Sequence, residues 1–323
     1  MDPLKLSPPV ALAPLAGITD SPFRTLVAGF GAGLVVSEMV GSQEMVQAKP
    51  DIRAKAELGL GQDRTSVQLA GRDPYWMAEA ARMVEANGAS LIDINMGCPA
   101  KKVVGGMSGS ALMREPDHAL RLIEAVVGAV QIPVTLKTRL GWDDDSLNAA
   151  ELAKRAEAAG VRMITIHGRT RCQFYKGAAD WKAIGAVKRA VSVPVLANGD
   201  ILDASSARQA LDQSGADGVM IGRGAQGRPW ILAEVAHDRF GTPKPDIPTS
   251  EDYVNMVAGH YENALSFYGT ELGVRTFRKH LGWYMDEAGT DAAARREMLT
   301  LRDPAQVLAR LRFALLDAKI RAA

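Results

Sequence analysis

The sequence predicts a (β/α)8 TIM barrel followed by a small all-helical domain, and two observations lead there. Eight short apolar, β-rich runs alternate with helix-like amphipathic segments within about 240 residues. Such repetition makes a parallel sheet with right-handed crossovers, and eight units close it into a barrel. After Gly241 no strand-like run returns. An open doubly wound sheet is the alternative arrangement of the same units.

The strand runs are VALAPLAG (10–17), LVVSEMV (34–40), TSVQLAG (65–71) and LIDINMG (91–97), then PVTLKTRLG (133–141), MITIHGR (163–169), PVLANGD (194–200) and GVMIGRG (218–224). Helical segments fill the gaps, among them YWMAEAARMVEANG and AAELAKRAEAAG, the second stopping at Gly160. GTPKPDIPTS carries three prolines and reads as a linker. The expected organisation is a barrel over 1–241, a linker over 242–250 and a helical domain over 251–323. In that last segment PAQVLARLRFALLDAKI places apolar residues at three- and four-residue steps.

Composition narrows the class. The chain has 323 residues, 47% of them hydrophobic, enough for one large core and a smaller appendage. Its 38 basic and 37 acidic residues nearly cancel, so net charge selects no polyanionic partner. Two cysteines make no disulfide framework and suit a reducing compartment. Pro8, Pro9 and Pro14 break the N-terminal apolar stretch, a poor signal-peptide core, and no run reaches a membrane span. The expectation is a cytoplasmic protein with no membrane or obligate protein partner.

In a barrel, chemistry sits at the C-terminal strand ends. Those ends carry Ala16, Gly17, Glu38, Gln68, Asn95, Lys137, His167, Asn198, Gly199, Asp200, Gly222 and Arg223. Any one polar strand end is ordinary; eight converging on one rim make a site. GRGAQG (222–227) spells a dinucleotide fingerprint, but it follows the last strand. A phosphate site after the seventh and eighth strands fits better, with glycine backbone and Arg223 facing the anion. A plain tight turn is the simpler reading. Lys137, ending an apolar strand, needs a partner: an anion, a ring, or a Schiff-base carbonyl. His167 is a structural histidine or a ligand to a phosphate or cofactor ring. No spacing suggests a metal.

Cys98 follows the fourth run, before Pro99 and a glycine-rich loop. It reads as a buried structural thiol, a nucleophile, or a general acid. An ordinary thiol, titrating near pH ~8.5, is protonated at neutral pH and needs no activation to be an acid. Cys172, in RTRCQFYKG, has no comparable setting.

The blocks APLAGITDSPFR, VSEM, VQLAG, DINMGCPAKKV, KTRLGW, TIHGRTR, VLANGDI and MIGRGAQGRPW, in this order, resemble the tRNA-dihydrouridine synthases; RTFRKHLGWY in the tail resembles their bacterial B-type branch. The resemblance implies an FMN enzyme that reduces the C5–C6 double bond of a D-loop uridine, at position 17 for the B type. NADPH is the implied reductant, with NADH not separated from it. Pro14, Leu15 and Ala16 would pass the flavin ring edge. Gln68 would bond its pyrimidine side, Lys137 its ring and ribityl region, with His167 near them. Asn198, Gly199, Asp200, Gly222 and Arg223 would hold the phosphate end. Cys98 would protonate C5 and Asn95 would place the base. Leu15 stands where the family often has Met.

The residues agree with that implication. A buried uridine must be flipped out of folded tRNA, which calls for a basic rim. Lys101, Lys102, Arg139, Arg169, Arg171 and Lys176 lie in the loops around the site, and the tail adds Arg275, Arg278, Lys279 and His280, then Arg295 and Arg296. In a tail whose charges balance, such clusters read as an RNA face or as a solvated surface. Three rivals share parts of this pattern: an FMN barrel acting on a free pyrimidine, as dihydroorotate dehydrogenase does; a Lys137 Schiff-base lyase; and a tRNA-binding protein without catalysis.

Overall fold

The computed structural model describes residue 4 and residues 6–47 and 65–316. Among the described residues there are nine parallel strands: β1 Val10–Leu12, β2 Leu34–Val36, β3 Val40–Gly41, β4 Thr65–Ala70, β5 Leu91–Met96, β6 Val134–Arg139, β7 Ile164–His167, β8 Val195–Asn198 and β9 Gly218–Ile221. They run β1-β2-β4-β5-β6-β7-β8-β9 and return to β1, so eight close a barrel. The two residues of β3 pair only with the end of β4, through Val40↔Leu69. The sequence runs are longer than the strands because their last residues leave the ladder to become the loops that line the mouth.

Helices cover the barrel, each started by local chemistry. The Asp20 carboxylate accepts from the Phe23 amide at 2.9 Å and caps α1, Ser21–Gly29. Asp203 and Ser206 form a capping box at the helix Ala204–Ser214. The helix Ala149–Ala158 ends just before Gly160, whose φ of +106° an L-residue rarely adopts.

Most of the apolar core lies between the barrel wall and these helices. A second cluster, including Ala11, Leu34, Val36, Leu91, Met163 and Leu196, packs apart from it, with Leu4 and Leu6 against it. The other inward positions of β4 to β8 are polar, among them the buried Ser66, Gln68, Asp93, Asn95, Thr135, Thr165 and Asn198. Such polar burial is costly unless each group is hydrogen-bonded.

Residues 241–249 form no regular element, and four helices follow: Ser250–Tyr268, Thr270–Ala288, Ala292–Thr300 and Pro304–Leu315. They share a core of Val257, Tyr261, Phe277, Tyr284 and Leu311, joined by Trp230, the N-cap of the preceding helix Ile231–Phe240. Residues 317–323 of the helical segment expected to reach 323 lie outside the described residues. The first two of these helices dock on α1: Phe23 packs on His280 at 4.8 Å and His260 at 5.6 Å, and Tyr268 donates to Asp20 at 2.9 Å. No helix among the described residues is long and apolar enough to cross a membrane.

Candidate active site

The C-terminal ends of the strands surround a cavity of about 410 Å³. Pro14, Leu15, Ala16, Gln68, Asn95, Cys98, Lys137, Arg139, His167, Asn198, Gly199, Asp200, Gly222 and Arg223 all line it. Strand register explains the convergence. Asn95 lies beside Lys137 across β5–β6, and His167 beside Asn198 across β7–β8. Alternation then turns these side chains inward.

The floor is a hydrogen-bonded set. Lys137 donates to Asn198 Oδ1 at 3.1 Å, and Asn198 Nδ2 donates to the Met220 carbonyl at 2.8 Å. Gln68 Nε2 donates to Asp93 at 2.7 Å, while Asn95 Nδ2 donates to Gln68 Oε1 at 2.7 Å. Burial, helped by the Arg139 charge, pulls the Lys137 ammonium down to about 8. Burial, with Lys137 and three arginines nearby, drives His167 down to about 2. His167 is therefore a neutral imidazole, and its Nδ1 is buried with no hydrogen-bond partner among the described residues.

Cys98 is half-buried at the end of β5. Its amide donates to Asn95 Oδ1 at 3.0 Å, and its carbonyl accepts from the Ser110 hydroxyl at 2.9 Å. A side chain at Gly109, where φ is +59°, would strike the Cys98 carbonyl at 2.8 Å. The glycine thus lets the loop fold back onto the thiol's own backbone.

Several residues sit differently from the sequence expectation. Arg139 and Arg169 were expected on a basic rim, but both are 2% exposed. Arg139 donates to the carbonyls of Gly97 at 2.8 Å and of Thr170 and Phe174 at 2.9 Å, so it stitches two loops together beneath the cavity wall. Arg169 is paired with Asp200 at 2.6 Å and donates to Lys176 O at 3.0 Å. Asp200 was grouped with the phosphate residues, yet its carboxylate also takes Arg223 at 3.1 Å and the Ala179 amide at 2.8 Å. Although burial opposes it, the Arg169 bond holds the Asp200 carboxyl below its usual range. Asp200, itself lining the cavity, therefore holds both arginines.

Arg171 stacks over Trp142 at 4.7 Å, and Arg114 over the same ring at 4.0 Å. Lys101 and Lys102 are exposed on the short helix Lys101–Gly105. On the tail, Arg275 and Lys279 are exposed and Arg278 is half-buried; Lys279 donates to the Gly17 carbonyl at 3.2 Å, beside the cavity. His280 is 1% exposed and pushed down to about 3 by burial, so it adds no charge there. Arg295 is paired with Asp286 at 2.7 Å.

Other residues escaped the sequence reading. Met39, Phe174 and Tyr175 line the cavity, and Asp93 and Thr135 lie buried beneath it. Alternation along LIDINM could have found Asp93, two residues before Asn95. The aromatics lie in an irregular loop whose course no periodicity reveals. Among the described residues, no group of three or more His, Cys, Asp or Glu side chains could hold a metal.

The solved structures with a similar fold include histamine dehydrogenase from a Rhizobium species. It has a TM-score of 0.56 at 13% identity, covering 81% of this chain and 50% of that one. A complex of 2-naphthoyl-CoA reductase gives 0.55 at 13%, covering 73% and 52%. These likenesses bear on the barrel alone. Sequence relatives are much nearer. A "Probable tRNA-dihydrouridine synthase" of Rhodobacter capsulatus is 66% identical over 315 residues, 97% of each chain. The "tRNA-dihydrouridine synthase B" of Vibrio cholerae is 49% identical over 290 residues, 88% of each. The family model described as "Dihydrouridine synthase (Dus)" matches residues 11–320, and with these relatives it shows that the chain belongs to the dihydrouridine synthase family.

Proposed function

We propose that this chain is a cytoplasmic tRNA-dihydrouridine synthase that reduces the C5–C6 double bond of a D-loop uridine at position 17. FMN is its bound cofactor and NADPH its reductant, with NADH the donor to be compared. The observation that carries the reading is one cavity holding a half-buried thiol beside a buried ammonium and a neutral imidazole.

The residues present fit FMN. A volume of about 410 Å³ lies within the ~300–1,000 Å³ typical of small-ligand pockets. Among the described residues the buried His167 Nδ1 has no hydrogen-bond partner, and a ligand would supply one. Pro14, Leu15 and Ala16 would flank the ring, with Gln68, Lys137 and His167 on its polar atoms. Gly199, Gly222 and Arg223 would take the phosphate, with Asn198 beneath and Asp200 steadying Arg223. When bound, FMN supplies a hydride to uracil C6.

The protein supplies the rest. As charge develops at C5, the Cys98 thiol gives it a proton. Asn95 spends one amide hydrogen on Gln68 and keeps the other for a uracil carbonyl. Arg139 ties the Cys98 loop to the Phe174 loop and so closes one wall. The flipped base reaches this pocket while Lys101, Lys102, Arg171, Arg275, Arg278 and Lys279 meet phosphates; the helices from 251 onward form the tRNA-binding part. Two free cysteines suit a reducing cytoplasm.

Two measurements test the reading. An absorbance scan with mass analysis of the released ligand should give noncovalent FMN. Dihydrouridine mapping in tRNA from a deletion strain should show loss at position 17, restored by the gene. A protein that neither carries nor takes up FMN, or a deletion strain with unchanged dihydrouridine, overturns it.

A further inference from the structure

We propose that Asp93 is a positioning residue for Cys98, acting through Gln68 and Asn95. Asp93 is 2% exposed on β5, under the cavity. Register sets Gln68 on one side of it and Thr135 on the other. Its carboxyl accepts from Thr135 Oγ1 at 2.6 Å and from Gln68 Nε2 at 2.7 Å. Gln68 Oε1 accepts from Asn95 Nδ2 at 2.7 Å. Asn95 Oδ1 accepts from the amides of Gly97 at 3.2 Å and Cys98 at 3.0 Å.

The direction of this chain is forced from both ends. A backbone N–H only donates, so Asn95 must turn its oxygen to the Cys98 loop. Its nitrogen then faces Gln68, which must answer with oxygen and turn its own nitrogen to Asp93. The chain closes only if residue 93 can accept, which a carboxylate always does. Turning over either amide sets donor against donor in a buried site, a costly arrangement. Asp93 thereby holds the Cys98 amide and leaves Gln68 and Asn95 each one N–H for a ligand. A floor of donors suits the carbonyl oxygens of pyrimidine-like rings.

A competing role for Asp93 is counter-charge to Lys137. The two roles part on isosteric substitutions. Asp93→Asn still accepts from Gln68 while giving its nitrogen to Thr135, so the chain survives and the charge is lost. Gln68→Glu places a second carboxyl against Asp93; above the pH at which the pair gives up its shared proton, acceptor faces acceptor and the chain breaks. In the double variant the new amide at position 93 donates to the new carboxylate at position 68, and the chain closes again.

The readout is hydrogen exchange of the Gly97 and Cys98 amides in the purified full-length protein, resolved by fragmentation mass spectrometry. Exchange in Asp93→Asn should stay within about twofold of wild type. Gln68→Glu, measured above the pH at which the carboxyl pair loses its shared proton, should exchange about tenfold faster, the effect of one net hydrogen bond, and the double variant should return most of the way. Acceleration in Asp93→Asn equal to that in Gln68→Glu would make the charge the cause and overturn the proposal. So would a double variant no slower than Gln68→Glu. Should Gln68→Glu fail to fold, Asp93→Leu, which leaves no acceptor at position 93, should exchange about tenfold faster than Asp93→Asn, and equal rates in the two variants overturn the proposal. Only the role of Cys98 is taken from the proposed function. Because the readout is a backbone amide, a protein that proves to bind no FMN would sink that function and leave this test intact.

Discussion

At the scale of single residues, Cys98 is the side chain to which the proposed function assigns the proton transfer. Its loop is held from two sides, by Asn95 at the amide and Ser110 at the carbonyl. The proposed acid role makes a selective prediction. In Cys98→Ala, reduction of the enzyme by NADPH should keep its rate, since no proton is delivered to uracil in that step. Reduction of tRNA should slow by about 10²–10⁴-fold, the usual loss of a positioned general acid. Cys98→Ser should be nearly as slow, because a hydroxyl is a far weaker acid. Anaerobic stopped-flow measurements separate the two steps, and a wild-type rate with tRNA would make Cys98 a packing residue. Cys172, exposed on its loop, should be replaceable by Ala without effect on either step.

At the scale of elements, the loop after β7 is joined to the loop after β8 by a buried ion pair. Arg169 is 2% exposed in its side chain and Asp200 25%. Asp200 sits at φ +55°, a left-handed conformation that Asn tolerates. Asp200→Asn therefore isolates the charge from backbone strain. Removing it leaves a buried guanidinium with carbonyl partners only, and denaturant unfolding should show a loss of about 2–3 kcal/mol. Arg223 would lose its partner at the same time, so affinity for FMN should fall in a binding titration. Unchanged stability would mean that the carbonyls alone satisfy Arg169.

At the scale of the whole molecule, the tail is held to the barrel at α1 and at the cavity edge. Burial above all raises the Asp20 carboxyl to about 6, against the cap bond from Phe23 and the Tyr268 hydroxyl. The folded value exceeds the unfolded one near 3.8, so the native state binds the extra proton. This contribution to stability is complete below about pH 4 and lost as pH rises through 6. Asp20→Asn should then be more stable than wild type at pH 7.5, by about 1–3 kcal/mol, with the gap closing toward pH 4 in thermal melts. A gap independent of pH would remove the titration as its cause. The tail also offers the exposed Arg275 and Lys279 beside Arg278. Reversing all three charges should weaken tRNA binding and reduce the salt slope by about 0.7–0.9 for each phosphate no longer neutralised. Equal affinity across a salt series would mark the cluster as a solvated surface.

The sequence by itself determined the barrel, because strand–helix alternation is local and eight repeats admit few closures. It also determined the cavity-lining set from Gln68 to Arg223, because period-two alternation and strand-end placement follow from the pleat alone. Resemblance supplied the family, which the relatives of Rhodobacter and Vibrio then showed. Only the tertiary structure decided how the charges are used. Arg139, Arg169 and His280 read as surface cations in the chain, yet folding buries them, because nearby carbonyls, a carboxylate or aromatic rings surround them once distant loops and helices meet. The same holds for Asp93, whose neighbours Gln68 and Thr135 come from other strands. Burial and hydrogen-bond direction depend on contacts between residues far apart in the chain, and no local pattern records them.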